Sequence, residues 1–557
     1  MQSTMTKLGI DLGTTFTCAF TSDEDGKLDV LEIHHGSRIT RSVVQVAKGK
    51  WSIPRPADLA SSQRIHLSLA KRFIGRTSDD GRLSFDVSSV PHAIEGEVPK
   101  FSTGVVDETV LPEEISAFIL GRIRKLGNTR LNTEFEGCVL AVPAYFTHRQ
   151  REATLDAAEI AGFEREHVRL VPEPLAALVA HVEGDSQKAT SSRDGHWLVV
   201  DIGGGTADFT VAYVERSETR HSYVVNATRG HNALGGTNFD EVLAQFVCER
   251  AYAELNDDDA PVVDNDRLHA ACERAKEELS QSSTTTVTLE DESGNEIMEV
   301  EISLGEAEAA WQHQIKSIRR LIQEVLQQGR TTTIANVLVA GGTGNMPCVR
   351  SIIRDVLPDA QIHHSSLSEA VGQGAARIAV DPKITTTDVL PRGIGIDVEQ
   401  GQMGFILSRN EALPASACET FATPLDNCRT LRITVYEGDE SKVKDNILLG
   451  DFKITGIPPF PAGTPVEVTI NIDRLGEVNA TAKLGSQSES LTIQYQARHT
   501  SAELRRLRQL TSMRLEGTNV LEKPSKRARP DDPMSRASII PIKRSRLGVD
   551  EEGLSSE

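Results

Sequence analysis

Leu8-Gly9-Ile10-Asp11-Leu12-Gly13-Thr14-Thr15 and Leu198-Val199-Val200-Asp201-Ile202-Gly203-Gly204-Gly205-Thr206 are one pattern written twice, with their aspartates 190 residues apart. In each, an apolar run leads to Asp, one further apolar residue, then glycine and threonine. Apolar runs with β-branched residues read as buried strands, and the Gly-Thr step reads as the tight turn of a hairpin. A strand-turn-strand unit present twice predicts two similar lobes facing each other. Helical segments alternate with these strands. Residues 150–161 (QREATLDAAEIA) have helical composition and stop at Gly162, a good residue just past a helix end. Residues 175–182 read as a second, apolar helix opening after Pro174. Strands mixed with helices predict α/β lobes.

The residues at the two turns suit a magnesium-bound triphosphate. Such a ligand needs close backbone approach, hydroxyl and amide donors, and hard oxygen groups near the metal. Glycine permits the approach because it has no Cβ. Gly13-Thr14-Thr15 and Gly203-Gly204-Gly205-Thr206 offer glycines and donors from opposite lobes, with Asp11 and Asp201 behind them as carboxylates for Mg²⁺ through retained waters. One such turn alone would be an ordinary hairpin; two, each behind an apolar strand, argue against that. The chain has no G-x-x-x-x-G-K-[ST], so it is not a P-loop protein, and the triple glycine lacks the G-x-G-x-x-G spacing of a dinucleotide site. A third glycine run, Gly341-Gly342-Thr343-Gly344-Asn345 after residues 337–340, reads as an adenosine-binding turn or, equally, as a plain strand-to-helix turn.

Composition sets the frame. A chain of 557 residues is too long for one core and should divide into several domains. It holds 39% hydrophobic and 25% charged residues, ordinary for globular protein, with no apolar stretch long enough to span a membrane. Residues 1–7 show no signal-peptide core, so the expected compartment is the one of synthesis, the cytoplasm. Seven cysteines, none in C-x-x-C spacing, argue against a disulfide framework and a zinc site and fit reducing surroundings; Cys272 reads as buried packing rather than a redox sensor. The net charge of −20 is uneven: residues 498–548 carry 13 Lys/Arg against 5 Asp/Glu, while residues 1–497 sum to −24. The body therefore repels nucleic acid and the tail does not.

Near Asp381 the texture changes. Residues 383–388 (KITTTD) are short and polar and read as a linker. From Gly393 to Gln496 strands alternate with turns, as in TLRITVY (430–436), VEVTINI (466–472) and VNATAKL (478–484), which predicts an antiparallel β-domain. A short helix over residues 501–510 follows, and residues beyond about Thr518 read as polar and disordered. The expected organisation is thus residues 1–382, a linker at 383–392, a β-sandwich at 393–497, and a short helix with a basic tail at 498–557.

These segments together closely resemble the heat-shock protein 70 chaperone family, from about Gly9 to Ile493. Beyond the two phosphate segments, the likeness includes AKRFIGR at 70–76, VPAYF at 142–146, Glu173-Pro174, Leu234-Gly235-Gly236 with Phe239-Asp240, ACERAK at 271–276, Leu448-Leu449-Gly450, GIPP at 456–459 and Asp473. The resemblance implies an actin-like two-lobed ATPase domain followed by a peptide-binding β-sandwich. It implies ATP or ADP with Mg²⁺ as cofactors, unfolded or extended polypeptides as partners, and J-domain co-chaperones and nucleotide exchange factors as helpers. It makes Asp11 and Asp201 the Mg²⁺-water carboxylates and Thr14 and Thr15 the γ-phosphate turn. Lys71 resembles the lysine that orients the attacking water, Glu173 its acidic partner, and Thr206 and Asp208 the second-lobe residues beside the γ-phosphate. Gly203, Gly204 and Gly205 would cradle phosphate; Glu273, Lys276, Ser280, Gly341 and Gly342 would hold adenosine. Pro143, Arg151 and Asp388 match the set that relays nucleotide state to the β-domain. Ile396, Phe421, Leu431 and Ile433 align with its peptide pocket, although core packing is an equal reading for Phe421 and Ile433.

The sequence also departs from the family. Glu277 and Asn345 replace arginines that stack on adenine; each lost cation–π contact costs roughly 0.5–2 kcal/mol, which predicts weaker nucleotide binding unless Lys276 compensates. The leucine-rich linker has become Ile384-Thr385-Thr386-Thr387-Asp388-Val389, which predicts weaker docking. On the J-domain surface Arg169 matches, whereas Pro172 and Leu175 do not. Glu399 and Pro424 stand where the family's arch over the peptide is apolar. Little of the helical lid is expected, which predicts fast peptide release. The runs at 526–529 (KRAR) and 543–546 (KRSR) read as nuclear-localisation or polyanion-binding segments, or as a merely solvated tail. The leading expectation is an ATP-hydrolysing chaperone; the alternative is a nucleotide-binding scaffold with little turnover. A sugar kinase or filament protein of the same two-lobed fold would have neither the β-domain nor the 271–276 motif.

Overall fold

The computed structural model describes residues 8–517 together with 540–543, apart from 23–26, 35, 56–57, 59–63, 79–86, 88–89, 91, 95, 107, 185–193, 232, 255–262, 332, 366–368, 474–475, 486 and 494–498. Contacts divide the chain into two units, Met1–Pro391 with His499–Leu521, and Arg392–Arg498 with Glu522–Glu557.

The first unit holds two mixed sheets with one strand order. The first is built from β1 (Leu8–Leu12), β2 (Phe16–Ser22), β3 (Leu28–Val30), β4 (Cys138–Val142) and β5 (Val168–Pro172), in the order β5-β4-β1-β2-β3, with the short strand Thr40–Arg41 also pairing with β2. The second uses β6 (Gly195–Ile202), β7 (Ala207–Arg216), β8 (His221–His231), β9 (Asn336–Ala340), β10 (Gln361–His364) and β11 (Ile384–Thr387), in the order β10-β9-β6-β7-β8-β11. In both, the aspartate-bearing strand pairs antiparallel with its hairpin partner and parallel with the strand on its other side. The duplicated sequence pattern is thus a duplicated topology. Central strands such as β6 and β9 are buried along nearly their whole length, which is why they read as unbroken apolar runs rather than alternating ones.

The helices that place the site are α1 (Ala70–Phe73), α2 (Pro112–Leu131), α3 (His148–Ile160), α4 (Glu173–Gly184), α5 (Gly236–Glu254), α6 (Asn265–Leu279), α7 (Ala370–Val380) and α8 (Ser501–Glu516). Helix α3 starts at a capping box made by Thr147 and Gln150 and stops just before Gly162, as its sequence predicts. Helices α4 and α7 cross at very close range. A Cβ on Gly374 would lie 1.8 Å from the carbonyl oxygen of Ala176, and one on Gly9 would lie 2.0 Å from the amide of Ala376. Only glycine fits at either place. Ala177, Trp197, Leu338 and Ala375 share the apolar cluster that joins the two sheets.

Two expectations need correction. The segment 383–388 is not a plain linker: Ile384–Thr387 is β11, pairing parallel with β8 from His221↔Ile384 to Val224↔Thr387. Three β-branched threonines favour the strand that their polarity disguised. The helix expected over 501–510 runs to Glu516 and ends at Gly517, whose φ is +77°. A Thr500–Glu503 capping box starts it, and Leu504, Leu507 and Leu515 pack against the core of the first sheet. Arg514 sits 4.2 Å over the Trp51 ring and pairs with Glu114 (2.9 Å) and Glu108 (3.2 Å). The helix therefore belongs by contact to the first unit.

The second unit has two antiparallel sheets. One orders β12 (Ile394–Val398), β13 (Gln402–Leu407), β15 (Thr430–Glu437) and β16 (Ile447–Thr455) as β13-β12-β15-β16. The other orders β14 (Ala415–Ala422), β17 (Pro465–Ile472), β18 (Val478–Leu484), β19 (Gln487–Ile493) and β20 (Ile540–Lys543) as β19-β18-β17-β14-β20. Strands β15 and β17 alternate buried and less buried residues, as half-buried strands should. Strand β20 lies inside the tail expected to be disordered. Its partner is more than a hundred residues away, so no local signal reveals it. The basic run 526–529 and residues 544–546 lie outside the described residues.

Candidate active site

The two predicted turns close in the same way. The amide of Gly13 donates to Phe16 O (3.0 Å) and that of Gly203 to Thr206 O (2.9 Å). They also meet: a Cβ on Gly204 would come within 2.6 Å of Thr15 Oγ1, and one on Gly205 within 3.4 Å of Thr14 Cγ2. Side chains on the glycine turn would fill the gap between the hairpins. Ser42, which sequence reasoning missed, braces the first turn by donating its hydroxyl to Gly13 O (2.7 Å). Between the turns opens a cleft of about 1130 Å³, roomy enough for a small-molecule cofactor.

Asp11, Thr14, Thr15, Lys71, Glu173, Asp201, Gly203, Gly204 and Thr206 all line this cleft. Lys71, on α1, pairs with Glu173, the first residue of α4, and both side chains are nearly buried. Burial works against the Lys71 charge, but Glu173 and Asp11 outweigh it and hold the ammonium above the usual lysine range. The carboxylates shift the other way. Burial, then repulsion from Glu173, pushes Asp11 up to about 7; burial, then Glu173 and Asp11, pushes Asp201 up to about 8. Negative groups crowd one lysine, and that excess is an observation favouring a cation. Among the described residues no three acidic, His or Cys groups could together hold a metal directly.

The opposite end of the cleft is formed by α6 and the third glycine turn. Glu273, Lys276, Ser280, Gly341 and Gly342 line it as expected. Gly341 has φ +74°, and a Cβ there would lie 2.2 Å from Ile202 O, so this turn cannot carry another residue without moving. Lys276 Nζ donates to Gly236 O (3.2 Å) and to both oxygens of Asp240 (2.7 and 2.8 Å). Burial raises Asp240 to about 6 against the pull of Lys276. Sequence reasoning quoted Asp240 only as part of a motif, because its role depends on a partner 36 positions away. Glu277 lines the cleft, whereas Asn345 Nδ2 donates back to Gly342 O (3.3 Å).

Comparison with known proteins decides the family. The family model described as Hsp70 protein matches residues 7–535. The chain belongs to the Hsp70 family. It is 32% identical to the chaperone protein DnaK1 of Synechocystis over 526 residues, covering 90% of this chain and 73% of that protein. It is 33% identical to the chaperone protein DnaK of Halobacterium salinarum, over 87% of this chain and 75% of the relative. A ribosome-associated molecular chaperone of Saccharomyces cerevisiae is 31% identical, over 89% and 83% respectively. This Hsp70 is an ATP-dependent chaperone and an ATP hydrolase, as these relationships support.

Two catalytic and phosphate assignments sit differently from expectation. Asp208 and Gly205 do not line the cleft. Asp208 is only 1% exposed, and its Oδ1 accepts from the Ala144 amide (3.0 Å), so it faces the Pro143 segment rather than open space. Burial drives its carboxyl well above the usual range. From there the bonds continue. Arg151 Nη2 donates to Ala144 O (3.3 Å) and to Asp388 Oδ2 (3.2 Å). Asp388 is itself raised by burial, with Arg151 opposing. Of the three expected coupling residues, Arg151 and Asp388 are thus in direct contact, while Pro143 takes part only as the residue preceding Ala144. Strand β11 is held by polar bonds as well as pairing: Arg169 donates to Thr386 Oγ1 (2.5 Å) and Arg220 to Thr385 Oγ1 (3.2 Å). Leu175, which the resemblance set near a J-domain surface, is fully buried.

In the second unit Ile396, Phe421, Leu431 and Ile433 are all buried, on β12, β14, β15 and β15. Phe421 reaches across to the other sheet, where a Cβ on Gly404 would meet its ring at 2.9 Å. No helix among the described residues is long and apolar enough to cross a membrane.

Proposed function

We propose that the cleft of this Hsp70 binds ATP between its facing hairpins and hydrolyses it by positioning water beside a charge-neutralised γ-phosphate. The observation that carries the reading is the Lys71–Glu173 pair set between Asp11 and Asp201 at the mouth of two glycine-threonine turns. Phosphoryl transfer needs positioning and charge neutralisation more than covalent chemistry. Glu173 fixes the Lys71 ammonium, which orients the attacking water and faces the phosphate oxygens. The hydroxyls of Thr14, Thr15 and Thr206 and the amides of Gly203 and Gly204 would surround the phosphates, with Gly205 set back from the cleft and shaping the turn. Asp11 and Asp201 would hold Mg²⁺ through water, and the metal when bound supplies neutralising charge on the phosphate oxygens. Glu273, Lys276, Ser280, Gly341 and Gly342 would take the adenosine, with Lys276 kept in place by Asp240.

Asp208 is then a positioning residue, not a catalytic one. Its bond to Ala144, followed by Arg151 and Asp388, gives nucleotide state a route to the Asp388 segment. The two-lobed actin-like arrangement and the β-sandwich with Ile396, Phe421, Leu431 and Ile433 as the peptide site complete the reading. J-domain proteins and nucleotide exchange factors are the proposed helpers. Single-turnover hydrolysis tests it: Lys71→Ala and Asp201→Asn should each slow turnover by on the order of a hundredfold or more. Turnover in both variants equal to that of the unaltered chain would overturn the assignment.

A further inference from the structure

Strand β14 would be the edge of its sheet were it not for β20. In the order β19-β18-β17-β14-β20, the short segment Ile540–Lys543 adds the last strand, antiparallel to β14. The register pairs Ala422 with Ile540, Phe421 with Pro541 and Thr420 with Lys543, with an irregularity between Thr420 and Phe421. A sheet edge offers a row of unpaired N–H and C=O groups, and extended peptides bind proteins by adding a strand there. Phe421, on this strand, is one of the four residues assigned above to peptide.

The composition of the added segment suits the role. Residues 539–542 read Ile-Ile-Pro-Ile, with Arg536 before and Lys543, Arg544 and Arg546 after. Residues 392–498, on which it docks, carry 14 Asp/Glu against 10 Lys/Arg, so the charges complement. Within sheets proline is confined to edge strands, first residues and bulges, because it has no N–H to donate. Pro541 therefore fits a terminal strand and blocks further pairing beyond it.

We propose that the segment around Ile540–Lys543 is an intrachain occupant of the β14 edge that an extended client peptide takes, so client binding displaces it and frees its basic flank. This rests on the reading of the second unit as the peptide-binding part.

Two measurements on the full chain test it. The first is fluorescence anisotropy with two labelled peptides: a synthetic copy of residues 536–546, and an unrelated heptapeptide of alternating Leu and Thr between lysines. The Ile540→Asp, Ile542→Asp variant should bind both about tenfold more tightly than the unaltered chain, because a site mostly occupied internally loses apparent affinity in proportion. Equal affinities in the two proteins overturn self-occupancy. Binding of the heptapeptide but not the tail copy overturns it while leaving the peptide-binding reading intact. Binding of neither peptide to either protein overturns both.

The second measurement reads the contact without reference to peptide affinity. In a Cys418→Ser, Cys428→Ser background, Ala422→Cys with Ile540→Cys should form a disulfide, since opposed antiparallel residues lie within its Cα range. Ala422→Cys without the second cysteine should not. Absence of the first cross-link overturns the placement of the tail.

Discussion

At the residue scale, the buried carboxylates carry a pH signature. Asp201 and Asp11 hold their protons to about 8 and about 7, well above the ordinary 3.8. Above pH 4 the unfolded chain has shed these protons while the nucleotide-free fold keeps them. The stabilisation is therefore complete below that pH and is lost as pH rises through 7 and 8. Between pH 6 and 8 the nucleotide-free chain should lose stability, by at most about 1.4 kcal/mol per pH unit for each proton that the fold retains and the unfolded chain does not, and its melting temperature should fall with it. Asp201→Asn should flatten that decline and raise the melting temperature at pH 8, while abolishing turnover. Parallel pH–melting curves for the two proteins would count against the assignment. Glu277 gives a separate expectation. It lines the proposed adenosine end, where the resemblance sets a stacking arginine, so Glu277→Arg should tighten ATP binding about tenfold by calorimetry, the scale of one restored cation–π contact. These residues were legible in the sequence because they sit in short motifs. Asp208 was legible as a residue but not in its role, since only the fold brings it to the Ala144 amide.

At the element scale, α8 is the part whose docking the sequence hid. Its capping box and its first leucine are local and readable. Its last turn is not, because Thr511 and Ser512 weaken the helical pattern and the compensation comes from Leu515 and Arg514 against the first lobe. The Arg514–Glu114 pair is nearly buried on both sides, and truncating one partner leaves an unpaired charge. Arg514→Ala should cost on the order of 3 kcal/mol and release α8. Denaturant unfolding together with hydrogen exchange over residues 501–516 would check it; unchanged protection there would count against the packing argument. Strand β11 teaches a related point. Its threonines looked like a loop, yet parallel pairing with β8 and bonds from Arg169 and Arg220 make them a strand.

At the scale of the whole molecule, the bonds from Asp208 through Ala144 and Arg151 to Asp388 are the proposed means by which ATP is sensed beyond the cleft. Arg151→Ala should leave basal single-turnover hydrolysis within about twofold while removing its stimulation by an apolar peptide, a coupling whose usual size is about 1–3 kcal/mol. Retained stimulation would show that coupling takes another route. The sequence by itself determined the duplicated hairpin, the glycines and threonines at its turns and the β-rich second part, because each is written in contiguous residues whose backbone demands are local. Only the tertiary structure decided which carboxylate faces the cleft and which faces the Ala144 amide, that α8 packs on the first unit, and that a strand from the far tail closes the β14 edge. Those outcomes depend on groups tens to hundreds of residues apart, whose meeting is set by burial and pairing energies that no local pattern records.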